Sequence, residues 1–222
     1  MHIAVVGASG DLGRHLVRQA LDDGHDVVAL ARRPEAVEAN PGLEVVAAAA
    51  HDVAAMTTAF TGADAVIVAI GPKFRMGSRK PVDFMQRHLP LIIKAVKDSE
   101  AGRLVLVSAF GAGDTAAKAS GFARFIYRTM TAPLFADKAA SERSLPASGI
   151  AWTVVYPVNL NEGVPVPEVL VKDLDEVGSV PGLPTLPFTN AAIGILRAAA
   201  DPNAEGRRLL ITTQKGWRPP TR

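Results

Sequence analysis

Short apolar runs alternate with amphipathic segments along most of the chain. Seven runs rich in β-branched residues predict strands over Ile3–Val6, Asp26–Leu30, Leu43–Val46, Ala65–Ile70, Arg103–Ser108, Trp152–Tyr156 and Arg208–Thr212. Several of them are continuously apolar, which is typical of parallel strands covered on both faces. Helical spacing of apolar residues predicts helices over Leu12–Asp22, Ala54–Phe60, Pro81–Lys97, Asp137–Pro146 and Asn190–Ala200. This alternation predicts an α/β fold with a doubly wound parallel sheet of about seven strands and helices on both faces.

Two long segments interrupt the alternation. Segment 111–135 is mixed in character, and segment 163–188 is rich in Pro and Gly with a possible short strand at Val169–Val171. Connections of this length are usually functional or form a small lobe. Both follow the carboxyl ends of predicted strands, where such sheets bind ligands. We therefore expect them to form the substrate-side walls, with a small substrate lobe from the C-terminal loops.

Two local features of the predicted helices carry further expectations. Pro90 lies inside the Pro81–Lys97 pattern and predicts a kink or a division of that helix, since proline has no N–H to donate. Within segment 111–135, four apolar residues recur at helical spacing: Phe122, Phe125, Ile126 and Met130. Such a stripe is typical of a face turned to the core or to a second copy of the chain, so the sequence leaves a monomer and a homodimer open.

Composition narrows the class of protein. The 222 residues, 48% hydrophobic and 21% charged, fit a single globular domain over 1–222. The formal net charge of +2 is too small to favour a nucleic acid partner. The absence of cysteine excludes disulfides and thiolate catalysis, and the five histidines show no metal-ligand spacing. With no secretory signal and no apolar run near the roughly 20 residues of a membrane span, we expect a cytoplasmic protein.

The strongest motif is a glycine-rich turn between the first strand and the first helix. Its residues are Gly7, Ala8, Ser9, Gly10, Asp11, Leu12 and Gly13. The first glycine allows a tight turn, the second lets a pyrophosphate approach the backbone, and the third lets the helix pack closely on the strand. The helix N-terminus then offers free N–H groups and a positive dipole end to the anion. The motif predicts a Rossmann-like fold that binds a dinucleotide.

The end of the second strand bears on the choice of cofactor. NAD-preferring sites typically place a carboxylate there to hold the ribose hydroxyls, whereas this chain has Arg32 and Arg33. Guanidinium groups can pair with a 2′-phosphate, so the sequence favours NADP(H) over NAD(H). The alternative is that both arginines are solvated loop charges.

Two further strand ends fit the same scheme. Asp52 and Val53 follow the third strand, where a carboxylate can accept a hydrogen bond from the adenine amino group. Asp52 is equally well placed as the N-cap of the following helix. Ala69, Ile70 and Gly71 end the fourth strand, and the glycine allows close approach of the backbone to a cofactor ribose.

Taken together, these motifs resemble the atypical short-chain dehydrogenase/reductase group. The residues that carry the resemblance are Gly7–Gly13, Ala31–Arg33, His51–Val53, Val107–Ala109, Asp137–Glu142 and Ser148–Pro157. Within that group the chain is most similar to NmrA-like NAD(P)-binding proteins and to the biliverdin reductase B (flavin reductase) type. The resemblance implies Ser108 and Lys138 as catalytic or positioning residues, and cofactor contacts from these two and from Tyr156, Pro157 and Val158. The resemblance favours a hydrogen bond from Lys138 to the nicotinamide ribose, and the alternative is an exposed helix lysine that pairs with Glu142.

The expected chemistry departs from the standard one of that group. A tyrosine four residues before the lysine normally exchanges a proton with the substrate oxygen, but this position is Leu134, and Tyr127 is out of register. Flavins and quinones accept hydride without such a donor, so the sequence predicts an NADPH-dependent reductase of a conjugated acceptor. The resemblance to the biliverdin reductase B type implies an apolar slot for that acceptor, formed by Ser108, Phe110, Pro157 and the aromatic residues of segment 111–135.

Two other functional classes stay open. NmrA-like proteins can bind the dinucleotide without turnover and act as redox sensors through a protein partner. Sugar-nucleotide epimerases and dehydratases share the fold, but they are usually longer and keep the tyrosine. The loop 73–80 carries four positive charges around an aromatic residue and a methionine, which suits an anionic substrate or a solvated loop equally well.

Overall fold

The computed structural model describes residues 1–72 and 76–220, and within them the strands and helices follow the predicted alternation. The strands are β1 (His2–Val6), β2 (Asp26–Ala31), β3 (Leu43–Ala47), β4 (Ala65–Val68), β5 (Leu104–Val107), β6 (Trp152–Pro157), β7 (Asn159–Asn161), β8 (Leu170–Asp173), β9 (Thr185–Pro187) and β10 (Arg207–Thr212). The α-helices are α1 (Asp11–Asp22), α2 (Val53–Phe60), α3 (Phe84–Asp98), α4 (Gly121–Ile126), α5 (Ala132–Glu142) and α6 (Phe188–Ala200).

The main sheet has the strand order β3-β2-β1-β4-β5-β6-β10-β8. Every neighbouring pair is parallel except β10 and β8, so the predicted doubly wound parallel sheet is confirmed. The order reverses between β1 and β4, and such sheets bind ligands in the crevice that this reversal opens at the carboxyl ends of the strands.

The eighth strand comes from segment 163–188. β8 overlaps the predicted short strand Val169–Val171 at its last two residues and joins the edge of the main sheet, antiparallel to β10, rather than a separate lobe. β9 of the same segment pairs with β7 in a second, two-stranded sheet. The C-terminal loops are therefore divided between the main sheet and a small sheet that follows the end of β6.

Helices cover both faces of the sheet. α1 packs against α6 on one face, and α2, α3 and α5 pack together on the other. β1, β4 and β5 are buried along almost their whole length, which explains why their sequences are continuous apolar runs rather than alternating ones. No helix within residues 1–72 and 76–220 is long and apolar enough to cross a membrane.

α3 differs from its prediction in two respects. It begins at Phe84 rather than Pro81, and it continues undivided through Pro90, whose side chain is exposed. Its first turn is held by a distant residue, because the buried Asp137 carboxylate accepts hydrogen bonds from the backbone N–H groups of Met85 (2.8 Å) and Gln86 (3.1 Å). An acidic group at this end also interacts favourably with the helix dipole.

Segment 111–135 is mostly helical, which corrects the predicted start of the next helix at Asp137. A 3-10 helix (Gly113–Lys118), α4 and a π-helical turn (Tyr127–Thr131) lead directly into α5, which ends at Glu142 rather than Pro146. The side chains of Phe122 and Phe125 are 65% and 64% exposed, so the core-facing interpretation of their stripe was wrong for these two residues.

Candidate dinucleotide and active site

The first glycine of the turn is sterically required. Gly7 has φ +93°, and a Cβ there would lie 2.6 Å from the Ala69 carbonyl oxygen at the end of β4. The backbone N–H groups of Gly7 and Ala8 both donate to the Leu30 carbonyl of β2, at 3.1 and 3.2 Å. The turn is therefore held against the ends of both strands that neighbour β1.

The other two glycines differ in their surroundings. A Cβ on Gly13 would lie 2.1 Å from the Gly7 carbonyl oxygen, so α1 packs on the turn with no room for a side chain. Gly10 is exposed, and a Cβ there would meet only the same oxygen, at 3.2 Å. Gly13 thus has a packing reason to be glycine, whereas the space above Gly10 is open to a ligand.

The N-terminus of α1 has the chemistry of an anion site. Among the residues that the structure describes, the backbone N–H groups of Ser9, Asp11 and Leu12 have no hydrogen-bond acceptor in the protein. Gly10 stands at the N-cap and has no side chain to cap them. Free N–H groups, the helix dipole and an open glycine surface fit the pyrophosphate of a dinucleotide.

A charged pair that sequence reasoning missed borders this cradle. The Arg14 guanidinium lies 3.1 Å from the Asp11 carboxylate and donates to the Ser9 carbonyl at 3.3 Å. The Asp11 carboxylate would by itself repel a phosphate, and the arginine offsets that charge. The i, i+3 spacing of the two residues was the available signal.

Arg32 and Arg33 follow β2, two and three residues after the Leu30 carbonyl that holds the glycine turn. Both side chains are exposed. Within residues 1–72 and 76–220, neither guanidinium forms a hydrogen bond or an ion pair. Their charges therefore remain available beside the cradle.

The remaining predicted dinucleotide residues are placed as follows. Asp52 caps α2, because its Oδ1 accepts from the Ala55 N–H at 3.0 Å, so the N-cap alternative is confirmed and the adenine contact stays a prediction. Val53 is the first residue of α2 and is half-buried. Ala69 and Ile70 lie against Gly7, and Gly71 is exposed with open space around its Cα.

Ser108 follows β5 and belongs to a hydrogen-bonded network. Its hydroxyl donates to Oε1 of Glu142 on α5, while Oε2 of the same carboxylate accepts from the Tyr156 hydroxyl at 2.6 Å. Arg208 Nε donates to the Tyr156 oxygen at 3.0 Å, and the guanidinium forms a bidentate pair with Asp114 near the surface. The network connects the end of β5 with the protein surface.

The ionisable groups of this network perturb one another. Burial raises the pKa of the Tyr156 phenol, and the Glu142 carboxylate raises it further. The hydrogen bond from Arg208 holds the pKa of Asp114 below its usual range, against a smaller opposing effect of burial. The Tyr156 phenol is therefore a neutral donor to Glu142 at physiological pH.

Lys138 lies on α5 one turn before Glu142. Its Nζ donates to the Val107 carbonyl at 3.1 Å, at the end of β5. Burial lowers the pKa of this ammonium, while the carboxylates of Glu142 and Asp137 raise it to a smaller extent. Since Lys138 is half-buried and bonded to β5, the exposed pair with Glu142 does not describe it.

The position where a catalytic tyrosine is expected holds Leu134, which is half-buried on α5. Tyr127 lies seven residues earlier in the chain, and its ring is buried against Phe135 with 5.2 Å between the ring centroids. Burial also raises the pKa of the Tyr127 phenol. Both rings close over Gly111, where a Cβ would lie 2.6 Å from each.

The three residues after Val155 form hydrogen bonds within the protein that the sequence did not predict. The Tyr156 side chain is fully buried and directed to Glu142. The Pro157 carbonyl accepts from the Phe110 N–H at 3.0 Å, and the Val158 N–H donates to the Ile211 carbonyl at 3.1 Å. Their predicted role as cofactor contacts therefore has few free polar groups to use.

The basic loop 73–80 is described only in part. Lys73, Phe74 and Arg75 lie outside the described residues. Met76 is 61% exposed, and the Gly77 N–H donates to the Met130 carbonyl at 2.9 Å, which places this part of the loop beside the π-helical turn.

A wide groove lies elsewhere, at the amino end of β10. It encloses about 860 Å³ between β8 and α6, and carboxylates and two arginines line it. Parallel sheets of this class bind ligands at the opposite ends of their strands. This groove is therefore separate from the glycine turn and from Ser108.

Comparison with solved structures supports the fold over nearly the whole chain. An anaerobilin reductase from Escherichia coli O157:H7 is 18% identical with a TM-score of 0.76, covering 96% of this chain and 98% of that one. A candidate NADH-flavin reductase from Streptococcus pneumoniae is also 18% identical, with a TM-score of 0.74 over 96% and 100% of the two chains. A short-chain dehydrogenase/reductase from Veillonella parvula is 12% identical, with a TM-score of 0.79 over 98% and 96%.

Sequence comparison identifies the family. An uncharacterized protein of Mycobacterium tuberculosis is 36% identical over 109 residues, which make up 49% of this chain but only 12% of that protein. The model of the NAD(P)H-binding family matches residues 7–181, from the glycine turn to the loop before β9. Because this match spans most of the chain and includes the cradle at the N-terminus of α1, the chain belongs to the NAD(P)H-binding family.

Proposed function

We propose that the protein is an NADPH-dependent oxidoreductase that transfers hydride to a conjugated acceptor such as a flavin or a quinone. The observation that carries this proposal is the placement of Leu134 on α5, one turn before Lys138. A phenol at that position would protonate a carbonyl oxygen. Of the two tyrosines nearby, Tyr156 donates its hydroxyl hydrogen to Glu142, and Tyr127, which is out of register with Lys138, packs its ring against Phe135. A delocalised acceptor has less need of such a donor, because its ring spreads the charge and solvent can supply the proton.

The protein's own residues would bind and orient the cofactor. The free N–H groups at the start of α1 would hold the pyrophosphate, and Arg32 and Arg33 would pair with the 2′-phosphate. Lys138, positioned by the Val107 carbonyl, would hydrogen-bond the nicotinamide ribose and fix the ring beside Ser108. When bound, the reduced nicotinamide supplies the hydride.

The reductases among the similar structures support this class of reaction. One is an anaerobilin reductase and another a candidate NADH-flavin reductase. These similar structures guide which electron acceptors should be tested with this chain.

Steady-state oxidation of NADPH tests the reaction. We expect turnover with FMN, FAD or a soluble quinone and none with simple ketones or aldehydes. Lys138→Met should lower kcat/KM, whereas Lys97→Met, a matched change at an exposed lysine of α3, should not. Turnover of ketones but not of flavins or quinones would show that a proton donor is present and would refute the proposal.

A non-catalytic redox sensor is the second candidate function. The observation that favours it is the pair of exposed phenylalanines, Phe122 and Phe125, on α4. The same assay separates the two functions, because tight NADPH binding with no turnover of any acceptor would favour the sensor.

The preference for NADPH has its own test. We expect Arg32→Ala with Arg33→Ala to weaken NADPH binding by about 10- to 100-fold, because hydrogen bonds to a charged group contribute about 1.5–3 kcal/mol. NADH binding should change little. Arg18→Ala, at an exposed arginine of α1, is the matched control. Equal losses for NADPH and NADH would contradict the assignment.

A further inference from the structure

In the Ser108 network, the residue nearest the surface, Arg208, determines which group donates and which accepts in each hydrogen bond. The Arg208 guanidinium, paired with Asp114, has only donors, so the Tyr156 oxygen must accept from it. The Tyr156 hydroxyl hydrogen is then free to donate to Glu142 Oε2, at 2.6 Å. The chain of donors therefore runs inward from the surface to the carboxylate.

The Glu142 carboxylate also accepts a hydrogen bond from Ser108, through its other oxygen. An ionised carboxylate has only acceptors, so the short contact with Ser108 requires the serine to donate its hydrogen to Oε1. The Ser108 hydrogen is thus directed into the protein and away from the carboxyl end of β5.

We propose that Glu142 is a positioning residue that makes Ser108 a hydrogen-bond acceptor toward the ligand, so that the site selects a ligand group carrying an N–H donor. This inference rests on the proposed function in one respect, which is the placement of the nicotinamide and the acceptor ring beside Ser108. It also assigns Ser108 no part in proton donation, because its hydrogen is already bonded to Glu142.

Two parts of the reacting pair carry such a donor. The nicotinamide has a carboxamide NH₂, and a flavin has a ring N–H between two carbonyls. Both present the same chemistry to a serine oxygen, so binding measurements with matched analogues have to separate them.

Glu142→Gln is expected to reverse the direction at Ser108. The Tyr156 oxygen still accepts a hydrogen bond from Arg208, so its hydroxyl still donates to the side chain at position 142. The new glutamine amide must therefore turn its oxygen toward Tyr156. The amide NH₂ then faces Ser108, whose oxygen accepts from it and whose hydrogen turns toward the ligand. A side chain of nearly the same shape would therefore change the ligand group that Ser108 prefers.

A second substitution should restore the original direction. In the double variant Glu142→Gln, Tyr156→Phe, no inward donor constrains the amide, so its oxygen can face Ser108 again. Tyr156→Phe alone should leave the preference unchanged, since the carboxylate offers Ser108 only acceptors. A purely structural role for Glu142 predicts no such rescue.

The experiment measures binding, so that it does not depend on turnover. In the cofactor arm, calorimetry compares NADPH with its 3-acetylpyridine analogue, which lacks the NH₂. In the acceptor arm, fluorescence quenching compares lumiflavin with N3-methyllumiflavin. The variants are Glu142→Gln, the double variant and Ser108→Ala, and Glu205→Gln, at an exposed glutamate, is the matched control.

We expect the wild-type chain to prefer the N–H form in one arm by about two- to tenfold, the worth of one net hydrogen bond. Glu142→Gln should lower that preference by about tenfold, Ser108→Ala should abolish it, and the double variant should recover it. A change in the cofactor arm identifies the carboxamide, and a change in the acceptor arm identifies the flavin ring.

The remaining outcomes overturn one proposal or the other. Binding with the same preference in Glu142→Gln as in the wild type refutes the role of Glu142 and leaves the reductase proposal standing. A shifted preference without turnover upholds the role of Glu142 and refutes the reductase. Failure of the wild-type chain to bind NADPH refutes both.

Discussion

Gly13 and Gly10 stand three residues apart in one turn, yet we expect their replacement by alanine to have different effects. In Gly13→Ala the new Cβ would lie 2.1 Å from the Gly7 carbonyl oxygen and 2.9 Å from the Ala8 Cα. Both are backbone atoms of the turn, and the Gly7 oxygen also accepts from the Gly10 N–H at 2.9 Å. The clash therefore cannot be relieved by rotation of a side chain.

The magnitude follows from the size of the overlap. An ordinary carbon–oxygen contact is about 3.3 Å, so α1 and the turn must separate by about 1 Å. Overpacking of this kind costs about 3 kcal/mol at the upper end of its usual range. The better helix propensity of alanine offsets about 1 kcal/mol, which leaves a net loss of about 2 kcal/mol in the free energy of unfolding.

Gly10→Ala should behave differently, because its Cβ would meet the Gly7 oxygen at 3.2 Å and otherwise lie in the open space above the cradle. We expect its stability to stay within about 1 kcal/mol of the wild type, since the change affects one N-cap position. NADPH binding should fall strongly, because the methyl group occupies the approach of the pyrophosphate.

Urea unfolding and calorimetric titration with NADPH, measured on both variants, check this pair of expectations. Gly121→Ala, at an exposed glycine of α4 with open space around it, is the control for a glycine that packs against nothing. Equal stability losses for Gly13→Ala and Gly10→Ala, or unchanged NADPH binding in Gly10→Ala, would refute the division between a packing glycine and a ligand glycine.

Two further predictions concern stability. Asp137→Ala should lower the free energy of unfolding by about 2–3 kcal/mol, because the N–H groups of Met85 and Gln86 lose their buried acceptor, whereas Asp137→Asn keeps one oxygen and should lose about half as much. Urea unfolding measures both, and equal losses would contradict the capping role. The hydrogen bond from Arg208 lowers the pKa of Asp114, so its contribution is present above the unfolded value of about 3.9 and disappears as the pH falls through the lower folded value. The free energy of unfolding of Asp114→Asn should therefore fall less steeply than that of the wild type as the pH decreases below about 4. An unchanged pH dependence would refute this.

The fold was predictable because its signals are local. Each strand of the parallel sheet is a short apolar run, and the glycine turn gives the strand, the turn and the helix in consecutive residues. The boundaries were less accurate where the chain departs from regular spacing. α5 begins at Ala132 because α4 and the π-helical turn continue into it, and a π-helical turn does not keep the period of an α-helix.

The edge of the sheet was harder to predict than its centre. The short apolar run at Val169–Val171 indicated a strand, but a sequence pattern does not say which strand it pairs with. β8 pairs with β10 antiparallel, with Leu210 opposite Lys172. That pairing depends on the return of the chain from β8 through β9 and α6.

The candidate site divides in the same way. By itself the sequence determined the cradle at the start of α1, the arginines after β2 and the absence of a tyrosine before Lys138, because each depends on neighbouring residues. Only the tertiary structure decided that Glu142 joins Ser108 to Tyr156 and that Asp137 caps α3. These contacts join residues 34, 14 and 52 positions apart, and their geometry exists only once α5 packs against the sheet and α3.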